Sequence, residues 1–267
     1  MQSARNGAFV FNSITLNHSV FDAAIIDLDG TLVDTLGDFA VALNRMLTDL
    51  SLPPVNRAVV EPLVGKGSEH LIKSVLTHVS KVAAVLEERA QEAVNLDANV
   101  ARLFPAAWAS YQRHYLAING QHASVYPGVI EGLRQLQGRG LKLACLTNKP
   151  KAFAVPLLKA KGLDGFFCLV FGGDSFERKK PDPLPLLKTC EALGSLPART
   201  LMVGDSSNDA LAARAAACPV VLVTYGYNHG EPIRGVDADG FVDALAAIDL
   251  AQIKVSAFAT LQALVRQ

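Results

Sequence analysis

The apolar run Ala23-Ala24-Ile25-Ile26 ends on Asp27-Leu28-Asp29-Gly30-Thr31, and this junction constrains the chain more than any other stretch. A short, uninterrupted apolar run bounded by turn residues reads as a strand buried on both faces. Gly30 supplies the turn that ends it. In open α/β sheets ligands bind beyond the carboxyl ends of the strands. Two acids placed there are badly sited for stability and well sited for chemistry. A lone Asp-x-Asp-Gly is more simply a turn with a capping carboxylate, so the decision rests on what later strands bring to the same edge.

Past Thr35 the pattern becomes helical. Leu36, Phe39, Leu43, Met46 and Leu50 recur at three- and four-residue spacing, and Pro53-Pro54 stops the helix they predict. Ser68–Val79 with Ser68 as N-cap, Val82–Asn95 and Val100–Ile118 predict three more helices. Pro105 fits the last of these near its first turn or as a kink. Trp108, Tyr111 and Tyr115 mark that helix's core face rather than a binding box. No strand pattern occurs between residues 36 and 120.

From Tyr126-Pro127-Gly128 onward, helices and strands alternate. Helices are expected over Val129–Gln137, after Thr147-Asn148 as far as Lys161 with Pro156 giving a kink or a late start, over Leu184–Leu193 and over Asn208–Ala217. Strands are expected over Leu141–Leu146, Phe166–Phe171, Thr200–Val203 and Val220–Val223. The alternation predicts an α/β fold, a doubly wound (Rossmann-like) parallel sheet with helices on both faces. The expected organisation is a core of residues 20–35 and 125–250 and an all-helical insertion over 36–124. An N-terminal extension, 1–19, has a short strand at Phe9–Phe11, and a helical tail spans 251–267.

Lysines plus arginines equal acidic residues, 25 against 25, which removes the electrostatic footprint expected of a nucleic-acid or anionic-membrane partner. Cys145, Cys168, Cys190 and Cys218 show no CxxC spacing, and Cys145 and Cys168 lie in apolar runs as small hydrophobes. A reduced, cytoplasmic setting is the expectation. No stretch reaches the ~18 apolar residues of a membrane span, and Met1–Ser19 lacks the marks of a secretory signal. Nothing in the sequence specifies an oligomeric state.

Four sets of groups then fall at strand ends: Asp27 and Asp29, Thr147 and Asn148, Lys180 in the loop Lys179-Lys180-Pro181-Asp182, and Asp205 with Asp209. In a parallel sheet these ends share one edge. The motifs Asp27-Leu28-Asp29-Gly30-Thr31, Leu146-Thr147-Asn148, Lys180-Pro181 and Gly204-Asp205-Ser206-Ser207-Asn208-Asp209 together resemble those of haloacid-dehalogenase-superfamily phosphatases. Leu146-Thr147-Asn148-Lys149-Pro150, Leu201-Met202-Val203-Gly204-Asp205-Ser206 and Tyr225-Gly226-Tyr227-Asn228 resemble the bacterial phosphoglycolate phosphatase branch.

The resemblance implies a nucleophilic Asp27 forming an aspartyl-phosphate, with Asp29 as general acid and base. It implies Mg²⁺ held by the Asp27 and Asp205 side chains and the Asp29 main-chain carbonyl, with Asp209 supporting. Four carboxylates would repel a phosphate dianion without a cation among them, and hard oxygens with no nearby His or Cys suit Mg²⁺. Capping of the following helix is the plainer role for Asp205 and Asp209, and it is compatible with the catalytic one. The Thr147 hydroxyl and the backbone N–H groups of Leu28 and Asn148 would hold the phosphoryl oxygens, and Lys180 would balance charge at the nucleophile.

The helical insertion resembles a cap that closes over the cleft. Gly65-Lys66-Gly67 is the candidate substrate loop, weighed evenly against an ordinary helix–helix turn with an exposed Lys66. His70, His78, His114, His122 and His229 lack ligand spacing and read as surface or satisfied core residues.

Asp29 argues against a carbon-directed dehalogenase and against a phosphonoacetaldehyde hydrolase, although Lys66 leaves room for the latter's lysine. A β-phosphoglucomutase-like transferase shares both aspartates and the helical cap. A non-catalytic binding module would be expected to have lost Asp27, Asp29 or Lys180. The expected reaction is therefore Mg²⁺-dependent hydrolysis of a small phosphorylated metabolite, 2-phosphoglycolate to glycolate and phosphate.

Overall fold

The computed structural model describes residues 21–86 and 96–253. In chain order its strands are β1 (Ala23–Ile26), β2 (Val33–Asp34), β3 (Ser124–Val125), β4 (Lys142–Leu146), β5 (Leu169–Phe171), β6 (Thr200–Gly204), β7 (Val220–Val223) and β8 (Gly240–Val242). Six of them form one parallel sheet in the order β5-β4-β1-β6-β7-β8. The central place of β1 explains its composition. It pairs with β4 on one side and β6 on the other, and all four of its residues are fully buried. Ala24 and Ile26 face one hydrophobic cluster and Ala23 and Ile25 the other, so the strand has no polar face to spend on solvent.

The helices are α1 (Leu36–Asp49), α2 (Arg57–Val60), α3 (Ser68–Leu86), α4 (Leu96–Ile118), α5 (Val129–Gly138), α6 (Lys151–Ala160), α7 (Leu184–Leu193) and α8 (Ser207–Ala215). Leu133 of α5 and Leu157 of α6 cover one sheet face, and Leu186 of α7 and Ala213 of α8 cover the other. Between β2 and β3, helices α1 to α4 bury a separate cluster built on Leu43, Met46, Ile72, Leu76, Tyr111 and Tyr115. Phe153 and Tyr227 of the α/β part complete it, so the two parts share an apolar seam. β2 and β3 form a two-residue antiparallel ribbon where the chain leaves the core and returns.

Several sequence expectations need correction. The helix from Ser68 does not stop at Val79; α3 runs unbroken to Leu86, because nothing at residues 79–82 breaks it. The remainder of the expected Val82–Asn95 helix, the strand at Phe9–Phe11 and the tail beyond Ile253 fall outside the described residues. Ser68 is the first helical residue rather than the N-cap, and the Leu71 N–H bonds to the Gly67 carbonyl. α1 ends before Pro53-Pro54, through Leu50 and through Ser51 at a φ of 56°.

Pro105 lies well inside α4, which starts at Leu96, and Pro156 lies inside α6, which starts at Lys151 without delay. β5 covers only Leu169–Phe171, with a 3₁₀ turn over Asp164–Phe166 in place of its expected start. As an edge strand it is only partly buried, so its apolar residues gave no sharp boundary. Cys168 is exposed rather than core, and Cys190 and Cys218, 28 positions apart, come within 3.9 Å as free thiols. Trp108 packs against the helical cluster while Tyr111 and Tyr115 are fully buried in it. Among the described residues no helix is long and apolar enough to cross a membrane.

Candidate active site

The carboxyl ends of β1, β4 and β6 converge because the strands are parallel and in register. The Asp27 N–H donates to the Val203 carbonyl at 2.9 Å and the Thr147 N–H to the Phe171 carbonyl at 3.1 Å, so each strand's last pairing delivers a site residue. Asp27, Asp205 and Asp209 gather there as a buried carboxylate cluster, with one oxygen of each lying within 4.8 Å of the others. Gly30 and Gly226 permit this crowding, since a Cβ on either would overlap the Asp205 side chain.

Each acid has a defined set of partners. Lys180 Nζ donates to Asp27 Oδ1 at 2.8 Å, to Asp209 Oδ1 at 2.7 Å and to the Leu146 carbonyl at 2.9 Å. Asp205 Oδ2 accepts the Tyr227 N–H at 2.8 Å, and Oδ1 accepts the Thr31 hydroxyl at 3.2 Å. Asp209 closes a capping box with Ser206 at the start of α8, its Oδ2 accepting the Ser206 hydroxyl at 2.9 Å. The capping role and a place in the acid cluster thus coexist in one side chain. Asp29 turns the other way, accepting Lys149 Nζ at 2.9 Å and the Thr35 hydroxyl at 2.8 Å. Its main-chain carbonyl accepts no hydrogen bond among the described residues.

Burial drives the electrostatics. It raises the Asp27 carboxyl to about 7, against the Lys180 charge and with added repulsion from Asp209 and Asp29. Burial likewise carries Asp205 well above the ordinary carboxylate range, reinforced by the charges of Asp209 and Asp27. For Lys180 burial opposes the charge, but Asp209 and Asp27 outweigh it and hold the ammonium above its usual value. Three carboxylates crowded beyond what one lysine neutralises form a set of hard oxygens that a small divalent cation fits.

Asp27 and Asp29 open into a cleft between the two parts. Asp27, Asp29, Thr147, Asn148 and Lys149 line it from the α/β part, and Phe39, Val64, Gly65, Gly67, Ser68 and Leu71 from the helical part. The Asn148 side-chain amide donates to the Gly65 carbonyl at 3.0 Å and to the Lys180 carbonyl at 2.8 Å, linking the Gly65-Lys66-Gly67 loop to the core. The glycines of that loop line the cleft, whereas Lys66 is exposed and is not among the lining residues. Gly65 has a φ of 104°, and a Cβ there would meet the His229 ring at 2.9 Å.

Residue by residue, the fold brings Asp27, Asp29, Thr147, Asn148, Lys180, Asp205 and Asp209 to one sheet edge. Sequence reasoning passed over Lys149, Thr31, Thr35 and Tyr227. The Tyr227 hydroxyl bonds Asp34 at 2.7 Å and accepts the Thr35 N–H at 2.8 Å, holding the exit from the first motif. Lys149 was signalled by its position, a lysine directly after a strand end that already carried Thr147 and Asn148.

A family model for haloacid dehalogenase-like hydrolases matches residues 21–217, and the chain belongs to that family. Within it, the chain is 43% identical over 225 residues to a phosphoglycolate phosphatase of Thiobacillus denitrificans, covering 84% of this chain and 92% of that one. It is also 43% identical to a plasmid-encoded phosphoglycolate phosphatase of Cupriavidus necator, over 85% and 90% of the two chains. A crystal structure described as a predicted phosphoglycolate phosphatase from Haemophilus somnus superposes with a TM-score of 0.76 at 34% identity, covering 85% of this chain and 96% of that one.

Proposed function

We propose that this chain is a Mg²⁺-dependent phosphate monoester hydrolase that converts 2-phosphoglycolate to glycolate and phosphate through an aspartyl-phosphate on Asp27. The observation that carries the reading is the separation of two carboxylates at one strand end. Asp27 is set against Lys180 and the acid cluster, Asp29 against Lys149 and Thr35, and both face the same cleft. Two carboxylates in different surroundings suit different tasks. The substrate follows the names of the relatives, whose likeness covers most of the chain.

In this reading an Asp27 oxygen bonds to phosphorus as the ester P–O bond breaks, and Asp29 gives its proton to the departing glycolate oxygen. Asp29 then takes a proton from water, whose oxygen attacks the phosphoryl group and releases Asp27 and inorganic phosphate. The Thr147 hydroxyl and the Asn148 N–H hold phosphoryl oxygens in place, and Lys180 offsets the charge around Asp27. Asp27, Asp205 and the Asp29 carbonyl, with Asp209 supporting, would hold Mg²⁺, which would supply the positive charge that a dianionic substrate needs to approach this cluster. Lys66, on the loop at the cleft, is the cap's candidate contact to substrate. Four free cysteines fit a reducing, cytoplasmic location.

The test is phosphate release from 2-phosphoglycolate, β-glucose 1-phosphate, pyrophosphate and a nucleoside monophosphate, with and without Mg²⁺. Metal-dependent release selective for 2-phosphoglycolate is expected. Conversion of β-glucose 1-phosphate to the 6-phosphate without release would replace hydrolysis by phosphotransfer, and ligand binding without turnover would indicate a binding module.

A further inference from the structure

Two buried lysines each pair with an acid of the first motif, and their surroundings differ. Lys180 Nζ has three acceptors, in Asp27, Asp209 and the Leu146 carbonyl, matching the three N–H bonds of an ammonium. Lys149 is as deeply buried, its side chain 1% exposed. Among the described residues its one acceptor group is the Asp29 carboxylate, at 2.9 and 3.2 Å. Two aromatic rings also lie against the ammonium. Phe39 of α1 and Tyr115 of α4 place their ring centroids 4.4 and 4.7 Å from Nζ. Both rings belong to the helical insertion, whereas Lys149 belongs to the α/β core, so the cage exists only where the two parts meet.

Ring faces attract the ammonium and shield it from water, but they do not use up its hydrogen-bonding capacity as an anion would. Lys149 lines the cleft, where a bound ligand could meet that capacity. Lys149 is the one basic side chain lining it among the described residues. We propose that Lys149 reads a second negative charge on the leaving group. It would favour phosphate esters whose alcohol carries a carboxylate on the carbon next to the ester oxygen. This rests on the phosphatase reading above, and it adds the residue that distinguishes an anionic leaving group from a neutral one.

The distances allow it. Asp29, acting on the ester oxygen, lies about 3 Å from it, and Lys149 Nζ is 2.9 Å from Asp29. The ammonium is thus within about 6 Å of the ester oxygen, and a carboxylate on the next carbon projects about 3 Å toward it. Lys149 can then hold Asp29 and the substrate carboxylate together. A neutral leaving group would leave that N–H facing the rings without an acceptor.

The decisive measurement is kcat/KM for 2-phosphoglycolate and for ethyl phosphate, in which a methyl replaces the carboxylate, using the full chain with Mg²⁺. The wild type should prefer 2-phosphoglycolate by at least about a hundredfold, and Lys149→Met should reduce that ratio by at least about tenfold, chiefly through KM. Any misplacement of Asp29 lowers both substrates together and cancels in the ratio. An unchanged ratio in Lys149→Met overturns the assignment. Should that variant not fold, the wild type decides alone, and a preference below about threefold overturns it. Ethyl phosphate turnover without preference would leave the phosphatase reading standing while removing Lys149 from specificity. No release from any phosphate ester would remove both.

Discussion

The Gly120 N–H, just past the end of α4, donates to Asp38 Oδ2 in the first turn of α1 at 2.6 Å, across 82 positions of sequence. The other carboxylate oxygen accepts the His122 N–H at 2.7 Å, and the Asp38 side chain is fully buried. Gly37 beside it has no room for a Cβ, which would overlap the His122 carbonyl. The segment that leaves the core and the one that returns are clamped together just beyond the β2–β3 ribbon. This clamp fixes where the helical insertion stands over the acids.

Replacing Asp38 with Ala leaves the buried Gly120 N–H and the part-buried His122 N–H without their acceptor. The expected loss is about 2–5 kcal/mol of unfolding free energy, read from urea denaturation, with faster amide exchange at Gly120 and His122. A loss below about 0.5 kcal/mol would show that the clamp is dispensable.

Asp27→Asn keeps the size and polarity of the side chain and removes the carboxylate proposed as the nucleophile. Turnover should fall at least about a thousandfold while near-ultraviolet circular dichroism stays unchanged. A folded variant with near-normal metal-dependent rates would sink the nucleophile assignment.

Without metal, the folded-state Asp27 carboxyl is raised to about 7 from an ordinary value of 3.8. Its proton-bound form is therefore the one the metal-free fold favours. The stability this group contributes is full below the unfolded carboxyl value and is lost as pH rises through about 7. In the proposed reading Mg²⁺ would bind the ionised form and would have to displace that proton at lower pH. The rise in Tm caused by saturating Mg²⁺ should accordingly be larger at pH 8 than at pH 5.5. An equal rise at both pH values would contradict a protonated Asp27 in the metal-free enzyme.

Gly226→Ala tests the crowding around Asp205. The residue's φ lies outside the left-handed region, so the penalty is one of space, a methyl group driven against the Asp205 side chain. We expect weaker Mg²⁺ binding, about tenfold or more in Kd by calorimetry, together with a loss of about 1–3 kcal/mol in stability.

Much of this protein could be read along the chain. β1, β7 and α7 were legible because continuous apolar runs and a glycine stop are local signals, and Gly194 does close α7 in the left-handed conformation. β8 escaped notice, being three half-buried residues on a sheet edge with no pattern to detect. The two-residue strands β2 and β3 likewise show no periodicity, yet they bracket the insertion. Pro105 and Pro156 each sit inside a helix that starts ahead of them, at Leu96 and at Lys151, so neither proline delays a helix start.

By itself the sequence determined which strand ends carry acids, a threonine, an asparagine and a lysine, and a parallel sheet brings such ends to one edge. It also determined that a helical block separates the first of them from the rest. Only the tertiary structure decided how these groups divide. Lys180 goes to Asp27 and Asp209, Lys149 goes to Asp29 beneath Phe39 and Tyr115, and Asp38 ties the insertion's two stems. The physical reason is range. Periodicity and turn chemistry act over a few residues, whereas the partner of a buried charge is chosen by which side chains share its desolvated space. Lys149 and Asp29 lie 120 positions apart in the chain and 2.9 Å apart in the fold.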